Sequence, residues 1–234
     1  GLYLSSVDAT FGAAANVADN RAAMRGGGAM AAHSAIAMEP GSAVSGNTAG
    51  HNGGGFFIQA DGSLATAKDS SVASNSAVNG GGAFAIGGSV SIGGSVNDNT
   101  ATSRGGGIHV TNEGELSLLE GSLVSGNVAA DGGGVALTAF SQGTIAGTVS
   151  SNQAGSLGGG VFYGWPWNYT PAAVPATLDL RFAATARIED NGAANGAGLY
   201  ATGAGNAGAT AVRATIEGAT FEGNEAKAKG GGAY

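Results

Sequence analysis

The chain has 234 residues, of which 46 are glycine and none is cysteine, and its 9 basic and 16 acidic residues give a formal net charge of −7. The lack of cysteine excludes disulfides and thiol chemistry, and so few cations argue against a nucleic-acid partner, which would need a basic face. No window of 18 strongly apolar residues occurs, so no membrane-spanning segment is predicted.

One sequence frame recurs eight times along the chain. It consists of an apolar residue, an asparagine three residues later, an alanine two residues after that, and a glycine cluster that ends seven or eight residues beyond the asparagine. Val96, Asn99, Ala101 and Gly107 form its clearest copy. The eight asparagines of the frame are Asn20, Asn47, Asn75, Asn99, Asn127, Asn152, Asn191 and Asn224.

The spacing of this frame predicts the fold. Its final glycines lie 25 to 38 residues apart, a period typical of solenoids. Glycine is costly in helices, and each period instead holds short alternating runs between turn residues, such as 56–60, 63–67 and 70–72. We therefore predict an all-β protein, a right-handed parallel β-helix of about eight rungs with three short strands per rung. Residues 1–234 form a single domain in this interpretation.

The frame residues have structural roles in such a fold. Asparagine tolerates the left-handed conformation of a tight corner, and amides stacked in successive rungs can form a hydrogen-bonded ladder. The glycines supply positive φ or close contact between rungs. We interpret the asparagine column as a structural ladder; the functional alternative is a row of ligands.

The last copy of the frame resembles a known repeat. Phe221-Glu222-Gly223-Asn224 followed by Gly231-Gly232-Ala233 is similar to the paired Phe-x-x-Asn and Gly-Gly-Ala-apolar motifs of the polymorphic membrane proteins, which are β-helical autotransporter passengers. Elsewhere valine usually replaces the phenylalanine, and a third glycine often replaces the alanine. The resemblance implies a pectin-lyase-like β-helix at the cell surface or secreted, often adhesive. It brings no catalytic residues.

In chain order, the first rung runs to Gly28, and regular rungs follow to Gly55 and Gly82. The ends match internal positions of the repeat, so we expect an internal segment of a longer protein; alternatively, copies stack end to end. After Gly160 the period lengthens, which predicts a protruding loop at 164–176. This loop contains the candidate contact residues Trp165, Trp167 and Tyr169, and Asn168 begins a glycosylation sequon. In the alternative interpretation, the tryptophans fold back over the rung.

One column of side chains should point outward from the strands that follow the glycines. Its members are Tyr3, Met30, Phe57, Phe84, His109, Ala136, Phe162, Tyr200 and Tyr234. Stacking along the ladder is one interpretation. The other is an exposed contact strip, with Phe57, Phe84, Phe162 and Tyr200 as candidate contact residues.

Enzymatic function has weak support in the sequence. Asp61 and Glu113 occupy equivalent positions two rungs apart, without a further acidic cluster, and His33, His51 and His109 lack metal-ligand spacing. We predict no catalytic residues, metal or cofactor. The expected function is a non-enzymatic extracellular surface or filament scaffold, adhesin-like, whose partners are other copies of itself or surface glycans and proteins. The alternative is a carbohydrate-active β-helix, either a polysaccharide lyase or a hydrolase.

Overall fold

A computed structural model of the chain describes residues 1–164, 177–203 and 211–234. These residues form an all-β parallel β-helix without any helix. Four parallel sheets run along the solenoid, and in the described residues each contains eight strands, numbered here in chain order as β1 to β32. The β-helix prediction is confirmed, whereas the handedness of the coil stays a prediction.

Sheets 1 and 2 follow the glycine clusters. Sheet 1 consists of β1 (Leu2–Ser5), β5 (Ala29–Ala32), β9 (Phe56–Gln59), β13 (Ala83–Ile86), β17 (Ile108–Thr111), β21 (Val135–Thr138), β25 (Val161–Gly164) and β29 (Leu199–Thr202). Sheet 2 consists of β2 (Ala9–Phe11), β6 (Ala35–Met38), β10 (Ser63–Thr66), β14 (Ser89–Ile92), β18 (Glu115–Leu118), β22 (Gln142–Ile145), β26 (Thr177–Phe182) and β30 (Ala211–Ile216).

Sheets 3 and 4 flank the frame asparagines. Sheet 3 consists of β3 (Asn16–Ala18), β7 (Ala43–Ser45), β11 (Ser71–Ala73), β15 (Ser95–Asn97), β19 (Leu123–Ser125), β23 (Thr148–Ser150), β27 (Arg187–Glu189) and β31 (Thr220–Glu222). Sheet 4 consists of β4 (Arg21–Ala22), β8 (Thr48–Ala49), β12 (Ser76–Asn79), β16 (Thr100–Arg104), β20 (Val128–Asp131), β24 (Gln153–Leu157), β28 (Gly192–Asn195) and β32 (Glu225–Lys229).

The prediction of three strands per rung is wrong, because each turn has four. The additional strand belongs to sheet 4 and begins directly after the frame asparagine, where we expected only a corner. In most of these strands the only buried side chain is the frame alanine, such as Ala101, and the other residues are half-buried or exposed. A single small inward residue gives no alternating apolar pattern, and the pairing in this sheet also shifts register, for example between Ala77 and Asn79. The strand was therefore hidden in the sequence.

The core lies inside the stack and is formed by side chains that alternate inward from sheets 1, 2 and 3. Parallel pairing keeps equivalent residues in register, so that Phe56 pairs with Ala83 and Ala83 with Ile108. Sheet 3 contributes a column of one apolar residue per coil, mostly valine, that includes Val72 and Val96, both buried. Because each coil buries its apolar residues only against its neighbours, stability arises from stacking rather than from any one coil.

Candidate functional site

The eight frame asparagines lie in one column at the corner between sheets 3 and 4. From Asn20 to Asn191, each backbone N–H and each side-chain Nδ2 donates to Oδ1 of the asparagine in the next coil, at 2.9–3.1 Å and 2.9–3.0 Å respectively. From Asn47 onward, Nδ2 also donates to a carbonyl of the preceding coil, at 2.7–3.0 Å. The amide groups are thus committed to one another, which leaves no free row of ligand atoms.

We expected the asparagine itself to adopt the left-handed conformation at this corner. In the structure the residue before it adopts that conformation instead. These preceding residues have φ between 53° and 67°: Asp19, Gly46, Ser74, Asp98, Gly126, Ser151, Asp190 and Gly223. Glycine serves the ladder from the other side, because a Cβ at Gly82 would lie 3.1 Å from Nδ2 of Asn99 and 2.7 Å from the carbonyl oxygen of Gly107. The last glycine of each of the first seven clusters therefore makes room for an amide.

The sequence left two interpretations of the outward column of sheet 1, stacking along the ladder and an exposed contact strip. The structure shows stacked rings, most of which are buried. The rings of Phe57 and Phe84 lie 5.5 Å apart with 2° between their planes, and Phe162 stacks on Tyr200 at 5.9 Å. Phe57, Phe84 and Phe162 are only 1%, 6% and 3% exposed, so the expectation of an accessible surface is wrong for these three. Tyr200 is half-buried, and its role as a contact stays a prediction.

The burial of this column has a physical cause in the corner between sheets 4 and 1. The first glycine of each cluster has φ between 57° and 68°, which folds the end of sheet 4 back against the column. A Cβ at Gly80 would lie 2.8 Å from Cβ of Phe84, so only glycine allows this approach. The residue directly before the first glycine covers a ring in two coils: the guanidinium of Arg25 lies 5.0 Å from the ring centre of Phe57, and Nζ of Lys229 lies 5.6 Å from that of Tyr234.

A buried polar cluster interrupts the aromatic column at His109. Its ring meets Phe84 edge-on at 5.0 Å between ring centres, and its Nε2 lies 2.9 Å from Oγ1 of Thr138. Burial, and then the positive charge of Arg104, lower the pKa of His109 to about 3. Arg104 pairs with Asp131, with 3.7 Å between Nε and Oδ2, and burial raises the pKa of that carboxyl.

Sequence reasoning missed an open depression of about 320 Å³ on the outer face of sheet 2. It is lined by residues of three adjacent strands, β18, β22 and β26: Glu115, Leu116, Ser117, Gln142, Gly143, Thr144, Asp179 and Arg181. Ser117, Thr144 and Arg181 are in register, and Gln142 donates from Nε2 to Oε1 of Glu115 at 2.7 Å. Its outward groups are hydroxyl, amide, carboxylate and guanidinium.

Both arginines near this depression have carboxylate partners. The guanidinium of Arg181 donates from Nε to Oε2 of Glu217 at 3.0 Å, and Nε of Arg213 lies 3.9 Å from Oδ1 of Asp179. The remaining polar groups are the hydroxyls of Ser117 and Thr144 and the carboxylate of Glu115. Hydroxyls donate and accept, and carboxylates accept, so the surface suits a ligand with many hydroxyl groups.

The other predicted positions are placed apart from this depression or lie outside the described residues. Asp61 and Glu113 occupy exposed left-handed turns between sheets 1 and 2, two coils from each other. The loop residues Trp165, Trp167 and Tyr169 and the sequon at Asn168 lie outside the described residues. Within the described ranges, no three His, Asp or Glu side chains are grouped so as to hold a metal, and no helix is long and apolar enough to cross a membrane.

Comparison with protein-family models, with curated proteins and with solved structures finds no match to this chain. The resemblance to the polymorphic membrane proteins therefore remains at the level of the repeat. The chain is a β-helical repeat protein built from stacked parallel coils.

Proposed function

We propose that this chain is a non-enzymatic scaffold, displayed outside the cell or at its surface, that attaches to neutral surface glycans through the outer face of sheet 2. The observation that carries the proposal is the open depression of about 320 Å³ between β18, β22 and β26, with its hydroxyl, amide and carboxylate groups. Neighbouring strands are about 4.8 Å apart, so these groups form a fixed array on a rigid surface.

The charges favour a neutral ligand. Arg181 and Arg213 lie beside Glu217 and Asp179, and Glu115 adds a further carboxylate. An anionic glycan would meet carboxylates and compete with existing ion pairs for the arginines. A neutral sugar instead donates hydroxyl protons to Glu115 and exchanges hydrogen bonds with Ser117 and Thr144. The chain's net charge of −7 points the same way.

The repeat resemblance supports an adhesive role outside the cell. The Phe221-Glu222-Gly223-Asn224 motif is similar to that of surface-displayed β-helical passengers, and we propose that this chain belongs to a protein of that general kind. A scaffold of this kind could also assemble with other copies of itself. The experiment described next distinguishes glycan binding from self-assembly.

The test measures binding of the purified chain to immobilised neutral and acidic polysaccharides. The double substitution Gln142→Ala and Thr144→Ala removes two lining groups, and Ser63→Ala, on the same face two strands before β18, is the matched control. We expect neutral glycans to bind, the double variant to lose at least tenfold in affinity, and the control to bind normally. Equal binding by parent and double variant, or binding of acidic glycans alone, would contradict the proposal. Sedimentation of the parent without glycan reports self-assembly.

A carbohydrate-active enzyme is the second candidate, and one observation favours it. Glu115 and Asp179 flank Gln142 on the same face, two strands apart, which is roughly 9.6 Å at ~4.8 Å per strand. Two carboxylates at such separations can act as a general acid and a general base in glycoside hydrolysis. Incubation with neutral and acidic polysaccharides, followed by assays for reducing ends and unsaturated products, tests this candidate. Turnover that disappears in Glu115→Gln and Asp179→Asn would replace the scaffold proposal.

A further inference from the structure

The ring of His109 is held in one tautomer by a chain of hydroxyl groups. Thr111 Oγ1 donates to Oδ1 of Asn112 at 3.2 Å, and Thr138 Oγ1 donates to Thr111 Oγ1 at 3.0 Å. Each hydroxyl has one proton, so Thr138 can only accept from His109, and Nε2 must carry the imidazole proton. The Nδ1 atom of His109 is then an unprotonated acceptor.

The surroundings of Nδ1 oppose a second proton. The Nδ1 atom is buried and has no hydrogen-bond partner, and the same holds for Nε of Arg104, five residues earlier in the chain. The flanking strands β13 and β21 bring Phe84, Ala136 and Thr138 to the ring, none of which is titratable. Asp131 of β20 lies beside Arg104 as its counter-charge, and Arg104 is the charged group that acts on His109.

We propose that His109 is an acid-released latch at the corner between sheets 4 and 1. Protonation of Nδ1 would place a second positive charge beside Arg104 in a buried corner. The favoured response is local opening of β16, β17, β20 and β21, which exposes the imidazolium to water. At neutral pH the uncharged ring continues the stacked column and keeps these coils closed.

The two acidic-range groups in this corner act in opposite directions. The pKa of His109 is lowered in the folded state, so its contribution to stability is present above the unfolded value of 6.5 and is lost as the pH falls towards 3. The pKa of Asp131 is raised, so its protonation in acid favours the folded state. Protonated Asp131 no longer offsets Arg104, which makes a charged His109 still less favourable. The latch therefore depends on His109.

The protonation state can be measured directly in the parent protein by nitrogen NMR of its three histidines. We expect His109 to be neutral with its proton on Nε2 at pH 7 and to remain neutral at pH 5. Exposed His51 provides the reference signal. A proton on Nδ1 at pH 7, or a charged His109 ring at pH 6, would overturn the proposal. This measurement needs no variant.

The opening itself is tested by hydrogen exchange, corrected for the intrinsic effect of pH. Between pH 7 and pH 4 we expect the protection of segments 104–111 and 131–138 to fall by on the order of 100-fold, because His109 is protonated in the open form but stays neutral in the closed form. His109→Phe restores an aromatic residue like Phe84 and should abolish this loss, whereas His51→Gln should retain it. Equal loss in His109→Phe, or loss spread evenly over all coils, would overturn the latch.

Discussion

Replacing Asn99 by alanine tests how much the buried ladder contributes to stability. The side chain of Asn99 is 0% exposed, and its Oδ1 accepts from both N and Nδ2 of Asn75. Its Nδ2 donates to the carbonyl of Val72 and to Oδ1 of Asn127. Alanine would therefore leave two buried donors of Asn75 unpaired. At ~1–3 kcal/mol for each unpaired group, the free energy of unfolding should fall by about 4 kcal/mol.

The matched control for this substitution is Asn97→Ala. Asn97 lies two residues earlier, on the outer face of sheet 3, and accepts one hydrogen bond from Ser125 at 2.9 Å while half-buried. Its loss should cost at most about 1 kcal/mol. Urea unfolding followed by circular dichroism gives both values. A cost for Asn99→Ala within about 0.5 kcal/mol of the control would refute a ladder of buried amides.

Three further changes have expected outcomes that the same unfolding assay checks. Phe84→Ala should cost about 3–5 kcal/mol, because the ring is buried between two neighbours of its column, whereas Tyr3→Ala, at an exposed ring, should cost little; similar costs would contradict the stacked column. Gly82→Ala should destabilise by more than about 2 kcal/mol, since its Cβ would approach a backbone oxygen and a ladder amide. In the control Gly12→Ala, the new Cβ meets only a flexible side chain at 3.5 Å. Equal urea midpoints for the two variants would argue against close packing at Gly82. Because the pKa of His109 falls from 6.5 to about 3 on folding, its contribution to stability should decrease as the pH drops through that interval, by up to about 5 kcal/mol, while the raised pKa of Asp131 acts in the opposite direction. The parent should therefore lose more stability in acid than His109→Phe, and an equal loss in that variant would contradict this assignment.

The frame in the sequence predicts the ladder well because hydrogen bonding demands the same residue type in every coil. The side chain of Asn99 both accepts from the coil before and donates to the coil after, and the same pair of roles in every coil makes the column visible as a repeat of one residue type. The left-handed residue beside it is less constrained, since Asp98, Ser74 and Gly126 all adopt the conformation. That tolerance explains why the sequence suggested the asparagine itself. The strand of sheet 4 could not be predicted, because a single alanine per coil points inward from it and one residue makes no alternating apolar pattern.

The direction of the outward column could be predicted, but its exposure could not. Alternation along a strand places Phe57 and Phe84 outside sheet 1. Their burial depends on how the first glycine of each cluster, such as Gly80, folds sheet 4 against them. That burial is a contact between two sheets, and the alternation of residues within one strand does not predict it.

The depression on sheet 2 was missed because it requires the register of three coils. Glu115 and Gln142 stand in neighbouring coils of ordinary length and could have been aligned from the repeat. Asp179 and Arg181 follow the extra residues of the 38-residue period between Gly160 and Gly198, so their partners could not be counted from the glycines. Pairing of Thr144 with Arg181 in the structure supplies that alignment.

The most direct test of the stacked coils is hydrogen exchange at the side-chain amides of the frame asparagines, measured by NMR in the intact protein. We predict that the Nδ2 protons of the buried members Asn47, Asn75, Asn99, Asn127 and Asn152 exchange far more slowly than those of Asn97, which lies on the outer face. Exchange of the frame amides at the rate of Asn97 would contradict an in-register parallel stack held by this column.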